Sequence, residues 1–418
     1  MIRTVKRKLA GNFIFIGLAQ ALNQFTPIAI LPYLSRTVGM EAVGAIVFSQ
    51  VLMNYLGTVV DYGFSISATR RVALHRGNAE ELSNLFSSVL WVKGSIALAV
   101  LLLLAIASPL IPWPVLIVLL SFPLVAGKVL MPQWLFWGLE KNSTFVAASL
   151  LAKLFFIVFL FGFVKTADDA PWVNFALGSS DVLVGLLLTV HWIPKHLNVK
   201  IRIIEKRSLV QFTREGWTVF VSNVAASLYL NAGVLLLGQY VSGLNFGKYA
   251  VAERITTTPR LVSGLLLQAV YPHASRLAIE SGKIAGEFIS WFRKLIILLY
   301  MLCAGALFLL ADFLTFLFTG VNDVLVSSYI QIFCILPLVV ATGIPSYLEL
   351  LIKGKNKNCM YVFLFGALLN ISLNWLLLPL FHEKAAIAVA YLTEVIVAGG
   401  FVVMARRLNN HAMIPIYS

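Results

Sequence analysis

The chain has 418 residues, 60% of them hydrophobic and only 12% charged, yet it carries a net charge of +14; its mean hydropathy is +0.89. So much apolar surface with so little charge excludes a soluble globular protein of this size and marks an all-α integral membrane protein. A nucleic-acid partner is not expected, because the basic residues gather at the ends of apolar segments, where anionic membrane lipids attract them.

Taken in chain order, apolar runs of about 20 residues, the length that crosses a bilayer core as a helix, are centred near Ala21, Tyr55, Leu98, Leu124, Phe156, Leu183, Leu228, Ser263, Leu302, Leu338, Leu368 and Val395. The N-terminal MIRTVKRKLAGNF runs straight into the first of these, which reads as a first helix and not as a removed signal peptide. Charge then alternates between the gaps. One set holds Arg3, Lys6, Arg7 and Lys8, then Arg70, Arg71 and Arg76, Lys141, the basic run Lys195 to Arg214, Arg276 to Lys294, Lys353 to Lys357, and Arg406 with Arg407. The other holds little beyond Arg36, Lys165 and Lys384. Basic short loops stay cytoplasmic, so both termini are expected inside.

The gaps on the opposite side, around Pro109, Asp168, Gly243 and Glu383, are too short to form a catalytic domain, and no HExxH, GxSxG or P-loop pattern is present. Enzyme activity, a metal and a cofactor are therefore not expected. Asp168 and Asp169 read as a solvated turn, and Cys303, Cys334 and Cys359 as inert core thiols. The longest basic segment, HWIPKHLNVKIRIIEKRSLVQFTREGW, reads as a linker, giving an N-terminal six-helix lobe over 1–192, a cytoplasmic linker over 193–213 and a C-terminal six-helix lobe over 214–418.

The second half repeats the first. LPYLSRTVGMEAVGAIVFSQ aligns with LLLGQYVSGLNFGKYAVAER, and MPQWLFWGLEKN aligns with IPSYLELLIKGKN, which sets Pro132 against Pro345 and Trp134 against Tyr347. Six helices per repeat is even, so the lobes are expected in the same orientation, forming a V around a central cavity. Polar stripes at helical spacing fit that expectation: Gln50, Asn54, Gly57 and Asp61; Glu253, Thr257, Arg260, Gly264 and Gln268; Gln20, Asn23 and Gln24; Asn223, Ser227 and Asn231. Two readings stay open for them, hydrogen bonding between helices and the wall of a water-filled cavity, and their coincidence on repeat-equivalent helices favours the second.

Charges inside the spans cost free energy and point to function. They are Lys93, Lys128, Lys153, Asp181, Glu253, Arg254, Arg260 and Glu394. Asp181 can neutralise one of the three lysines in a structural salt bridge. The positive surplus, with Arg254 and Arg260, suits an anionic substrate. Among the carboxylates, Glu253, Glu394 and Asp181 are candidates for coupling to an ion gradient, Glu253 first and Glu394 next.

Three stretches, LPYLSRTVGMEAVGAIVFSQ, DYGFSISATRR and PQWLFWGLEK, together with FGKYAVAERI and LLLQAVYPHASRLA in the second half, resemble the polysaccharide exporter (Wzx, O-antigen flippase) family of the multidrug/oligosaccharidyl-lipid/polysaccharide flippase superfamily. The resemblance implies two six-helix lobes and a substrate of undecaprenyl pyrophosphate carrying an oligosaccharide, moved from the cytoplasmic to the periplasmic leaflet. It also implies working partners in an O-unit polymerase and a chain-length regulator, with the chain itself acting as a monomer. Arg260, Arg254, Lys128 and Lys153 then suit the pyrophosphate, and Asn23, Asn54 and Asn231 the sugars. Asp61, Arg70, Arg71, Trp134 and Glu140 lie on the family's motifs, where gating competes with plain inner-gate packing and helix-end salt bridging. The alternatives are a cation-coupled drug or metabolite antiporter of the same fold, a flippase of peptidoglycan precursors, and, from another class, a membrane O-unit polymerase, which needs a large external loop.

Overall fold

The computed structural model describes Gly17, Leu22 and residues 25–203 and 206–411, and all of its regular structure there is helical. Among the described residues, nine segments are long and apolar enough to cross a membrane, from Met40–Leu74 to Asn356–Arg407. The last serves for two of the expected crossings, those centred at Leu368 and Val395, because His382 leaves the helical conformation at φ 48 and ψ −126. Gly243–Glu280 is also long enough, at 38 residues, but its Glu253, Arg254 and Arg260 make it too polar for a plain apolar span. Ten helical segments thus account for eleven expected crossings. The one centred on Ala21 lies outside the described residues, as does Asn23.

Local chemistry sets several boundaries. Asn78 accepts hydrogen bonds from the N–H groups of Glu80 and Glu81, both at 3.1 Å, so the helix Ala79–Ala107 begins with a side-chain cap and two acids at its positive end. Asp323 caps Val324–Phe333 in the same way, through Leu325 and Val326. Met40–Asp61 ends in two left-handed residues, Tyr62 and Gly63. The chain turns there, and Phe64–Leu74 begins in a new direction.

The chain divides into two compact units, one of Met1–Ser227 with Ser242–Gly247 and one of Leu228–Val241 with Lys248–Ser418. In the first, Phe64, Val72, Phe86, Trp134, Leu135 and Phe136 belong to one buried apolar cluster. In the second, one cluster gathers Tyr229, Leu350, Val362, Val397 and Phe401, and another gathers Phe292, Ile296, Tyr300 and Leu348. Leu98, Leu102, Leu103 and Ile106 face outward from Ala79–Ala107 while Lys93, Ala97 and Val100 face in. That inversion suits a lipid surround, where leucine gains nothing by hiding and polar groups do.

The basic segment read as a linker has defined structure over its described residues. Ile193–Leu197 is helical, and an extended stretch follows that is tied along the Ala79–Ala107 helix. Lys200 N–H donates to Ser83 Oγ at 3.0 Å, Arg202 N–H to Ser87 Oγ at 2.8 Å, and Trp91 Nε1 to the Arg202 carbonyl at 3.2 Å. Serines four residues apart on one helix face thus do for an extended strand what a neighbouring strand would do in a sheet.

Candidate functional site

The first unit holds a row of five charges. Lys93 Nζ donates to Asp61 Oδ1 at 2.6 Å, and Lys153 Nζ reaches both oxygens of Asp181 at 3.1 and 3.2 Å. Lys153 is therefore the lysine that Asp181 neutralises, and Lys93 has its own acid. Asp61 also accepts from Ser65 N–H and Ser65 Oγ through Oδ2, so one carboxylate closes the Tyr62–Gly63 turn, caps the next helix and neutralises a lysine that is only 2% exposed.

Lys128 is the remaining cation. It stands on Pro123–Leu130, a helix packed against both Met40–Asp61 and Ala170–Leu186, and donates to Oδ1 and the carbonyl of Asn54 at 3.3 and 3.4 Å. Its methylenes lie over Gly57, where an added Cβ would stand 2.5 Å from Lys128 Cδ. The missing side chain at Gly57 is what lets the lysine lie flat along the helix. Asp61, Lys93 and Asp181 are the charges close enough to act on it. Three lysines against two carboxylates leave a net positive charge among the spans.

The polar stripe containing Gln50 and Asn54 is used mainly between helices. Gln50, 3% exposed, donates through Nε2 to Asn174 Oδ1 at 2.8 Å, and Asn174 donates onward to the Ile46 carbonyl at 3.0 Å and to Ser121 Oγ at 2.9 Å. Gln50 is thus an interhelical glue residue, while Asn54 remains exposed. Asn174 and Ser121 went unnoticed in the sequence, where the signal was a lone amide inside the apolar run WVNFALG.

In the second unit, Arg260 is ion-paired with Glu394. Glu253 shares the Arg260 helix and lies within electrostatic reach of Arg254 and Arg260. Arg254 and Asn231 are both half-buried. Beside the pair lies an amide ladder. Asn370 Nδ2 reaches Thr393 Oγ1 at 3.4 Å, and Asn374 Nδ2 donates to the carbonyl and Oδ1 of Asn370 at 2.9 and 3.0 Å. Asn374 Oδ1 is buried with no donor among the described residues. Asn370 and Asn374 were also missed, although two amides four residues apart in GALLNISLNWLLL share a helix face.

The motif residues form a separate structure. Gly138 packs so closely on Val72 that an added Cβ would stand 2.5 Å from it. Thr69 Oγ1 donates to the Trp134 carbonyl at 3.2 Å, Arg76 Nε donates to the Gly138 carbonyl at 2.7 Å, and Arg76 pairs with Glu140 at 2.9 Å. Trp134 is buried 6.0 Å from Phe86. Arg70 is exposed and Arg71 half-buried. DYGFSISATRR and PQWLFWGLEK are thus two faces of one joint, and the residues that carry the resemblance hold this joint together.

The family described as "Polysaccharide biosynthesis protein" matches residues 9–278, well over half of the chain. The chain belongs to that family. It is 30% identical over 283 residues to a protein of Escherichia coli (strain K12) named "Putative O-antigen transporter", an alignment spanning 66% of each chain. It is 26% identical over 369 residues to a protein of the same name from Shigella dysenteriae, covering 86% of this chain and 90% of the relative. Among solved structures it is similar to an inward-facing multidrug resistance transporter of the MATE family in the MOP superfamily, with a TM-score of 0.74 at 14% identity over 94% of this chain and 96% of the other. It is also similar to a MOP superfamily transporter from Pyrococcus furiosus, with a TM-score of 0.60 at 13% identity over 98% and 97% of the two chains. These likenesses show the fold, that of a multi-pass membrane transporter, and the family match bears out the resemblance read from the motifs.

Proposed function

We propose that this protein is a flippase that moves oligosaccharide repeat units linked to undecaprenyl pyrophosphate from the cytoplasmic to the periplasmic leaflet of the inner membrane by alternating access. The observation that carries this reading beyond the family is the positive surplus among membrane-spanning helices, with Lys93 and Lys153 held by Asp61 and Asp181 and Lys128 left over. A cation placed in a low-dielectric region without a carboxylate partner is costly unless an anion visits it, and a pyrophosphate is such an anion. Within the second unit Arg260 and Arg254 are the cations that suit such an anion, and Asn54 and Asn231, each in its own unit, offer amides to sugar hydroxyls. The relatives' names and the family description support the substrate class.

No nucleotide motif exists in the chain, so the driving force is substrate supply, the membrane potential or a coupled ion, and Glu253, followed by Glu394, is the carboxylate proposed to respond to protons. The test is complementation of a strain lacking this gene. Wild type restores surface glycan, and Lys128→Ala inserts into the membrane but restores none. Full export by Lys128→Ala would overturn the role given to the surplus lysine. Reporter fusions after Ser418 test the cytoplasmic placement of the C-terminus, and an active periplasmic reporter there would refute it.

A further inference from the structure

The Arg260–Glu394 pair sets a condition on any anion that reaches Arg260. A guanidinium has five N–H donors in a planar fork, and its best partner is a two-oxygen anion. Here that partner is already supplied by the chain. The pair is not sealed evenly, for the Arg260 side chain is 20% exposed and the Glu394 side chain 9%, so the accessible side belongs to the cation. Besides Glu394, the Glu253 carboxylate lies within electrostatic reach of Arg260, as do the neutral phenols of Tyr229 and Tyr300. Glu394 is followed on its inner side by the buried Thr393, Asn370 and Asn374, whose last acceptor, Asn374 Oδ1, has no donor among the described residues.

We infer that Glu394 is a resident competitor for Arg260: an anionic headgroup binds by displacing this carboxylate, and the carboxylate's return expels the headgroup. The inference rests on the reading of Arg260 as an anion contact given above and adds the means of release. In the two structural pairs of the first unit the cation's side chain is the more buried member, Lys93 at 3% against Asp61 at 23% and Lys153 at 8% against Asp181 at 25%. Here the cation is the more exposed one, and a purely capturing arginine would not be expected to carry a carboxylate of its own. An arginine held by its own counter-ion is available for only a fraction of the time, and the apparent affinity for an outside anion falls by that fraction. A transporter gains from this arrangement, because a headgroup held by an uncontested bidentate arginine would leave slowly.

The experiment uses the full-length protein in phosphatidylcholine nanodiscs with farnesyl pyrophosphate as the probe, read by equilibrium binding. Glu394→Gln keeps the shape of the side chain and one acceptor but removes the competing charge, and it is expected to tighten probe binding about tenfold. Glu394→Asp keeps the charge and should bind like wild type. Arg260→Ala should weaken binding, and Arg260→Ala with Glu394→Gln should bind no tighter than Arg260→Ala alone. In cells Glu394→Gln should lower surface glycan despite its higher affinity, because release slows. Unchanged or weaker binding by Glu394→Gln, with Arg260→Ala still impaired, overturns the competitor role and leaves the anion contact standing. Unchanged binding by Arg260→Ala overturns the anion contact itself. Where Glu394→Gln cannot be purified, thermal aggregation in isolated membranes takes its place. The probe must then raise the aggregation temperature of the variant more than that of wild type, and an equal rise overturns the inference.

Discussion

Asp61 holds Lys93 at 2.6 Å across the 32 residues that separate them in sequence, and the same carboxylate caps Ser65 at the start of the next helix. Removing one member of a buried pair strands the other at a cost of about 3–5 kcal/mol, whereas removing both charges can be nearly neutral. Lys93→Met should therefore lower membrane abundance and thermal stability sharply. Lys93→Met with Asp61→Asn should recover much of the loss, since the amide keeps an acceptor for Ser65. Thermal melting of detergent-purified protein checks both, and a double variant as unstable as the single one would show that the turn depends on the ionised carboxylate.

Gly138 stands where the two motif stretches meet. A methyl group there has to push against Val72 and the Thr69 carbonyl, and overpacking of this kind costs about 1–3 kcal/mol. Gly138→Ala should thus destabilise more than Arg76→Ala, because the Arg76–Glu140 pair is 41% and 47% exposed and exposed pairs contribute about 0–1 kcal/mol. The reverse order, measured by melting, would mean that the arginine and not the glycine contact holds the joint.

How much of this was legible depended on whether the signal was local. Span length and end charges are local properties, so the helices centred from Tyr55 to Val395 could be placed from hydropathy, and the pairing of one lysine with Asp181 followed from simple charge balance. Partner choice between distant helices was not legible. Gln50 reads as a cavity residue on its own helix face, and only the fold brings Asn174, 124 residues away, to its side chain. Glu394 reads as lacking a cation because none stands on its own helix at that depth, and Arg260 arrives from another. Asp61 reads through its motif either as a gating residue or as a helix-end salt bridge, and only the fold brings the buried Lys93 from another helix as its partner. The docked stretch at Lys200–Arg202 escaped for the opposite reason: its basic composition signals solvent, while its order comes from two serines on a different helix.

Asp323 gives a pH dependence outside the spans. Burial pushes its carboxyl up, but the hydrogen bond from Lys248 at one oxygen, the N–H groups of Val326 and Leu325, and the Lys248 charge outweigh that, leaving it below the usual carboxylate range. A carboxylate whose folded pKa is depressed contributes stability above its unfolded pKa, near 4, and loses it as pH falls through the folded value. Stability should therefore fall between about pH 5 and pH 2 with a component that Asp323→Asn removes. Melting curves across that range check this, and identical acid profiles for the two proteins would refute it.

Lys128 separates an electrostatic role from a structural one. Its ammonium meets amide and carbonyl oxygens of Asn54 and, among the described residues, no carboxylate within bonding distance, while its stem fills the space over Gly57. Replacement by Met keeps the stem and removes the charge, so packing is largely preserved and export should fall to background while the protein melts within a few degrees of wild type. Lys153→Met removes the partner of Asp181 and should instead lower abundance, because it leaves a carboxylate stranded. Gly57→Ala should act like Lys128→Met on export, since a Cβ at that position displaces the lysine without touching its charge. Surface glycan measured beside membrane abundance separates these outcomes. If Gly57→Ala exported normally while Lys128→Met did not, the charge would be needed but its position over Gly57 would not.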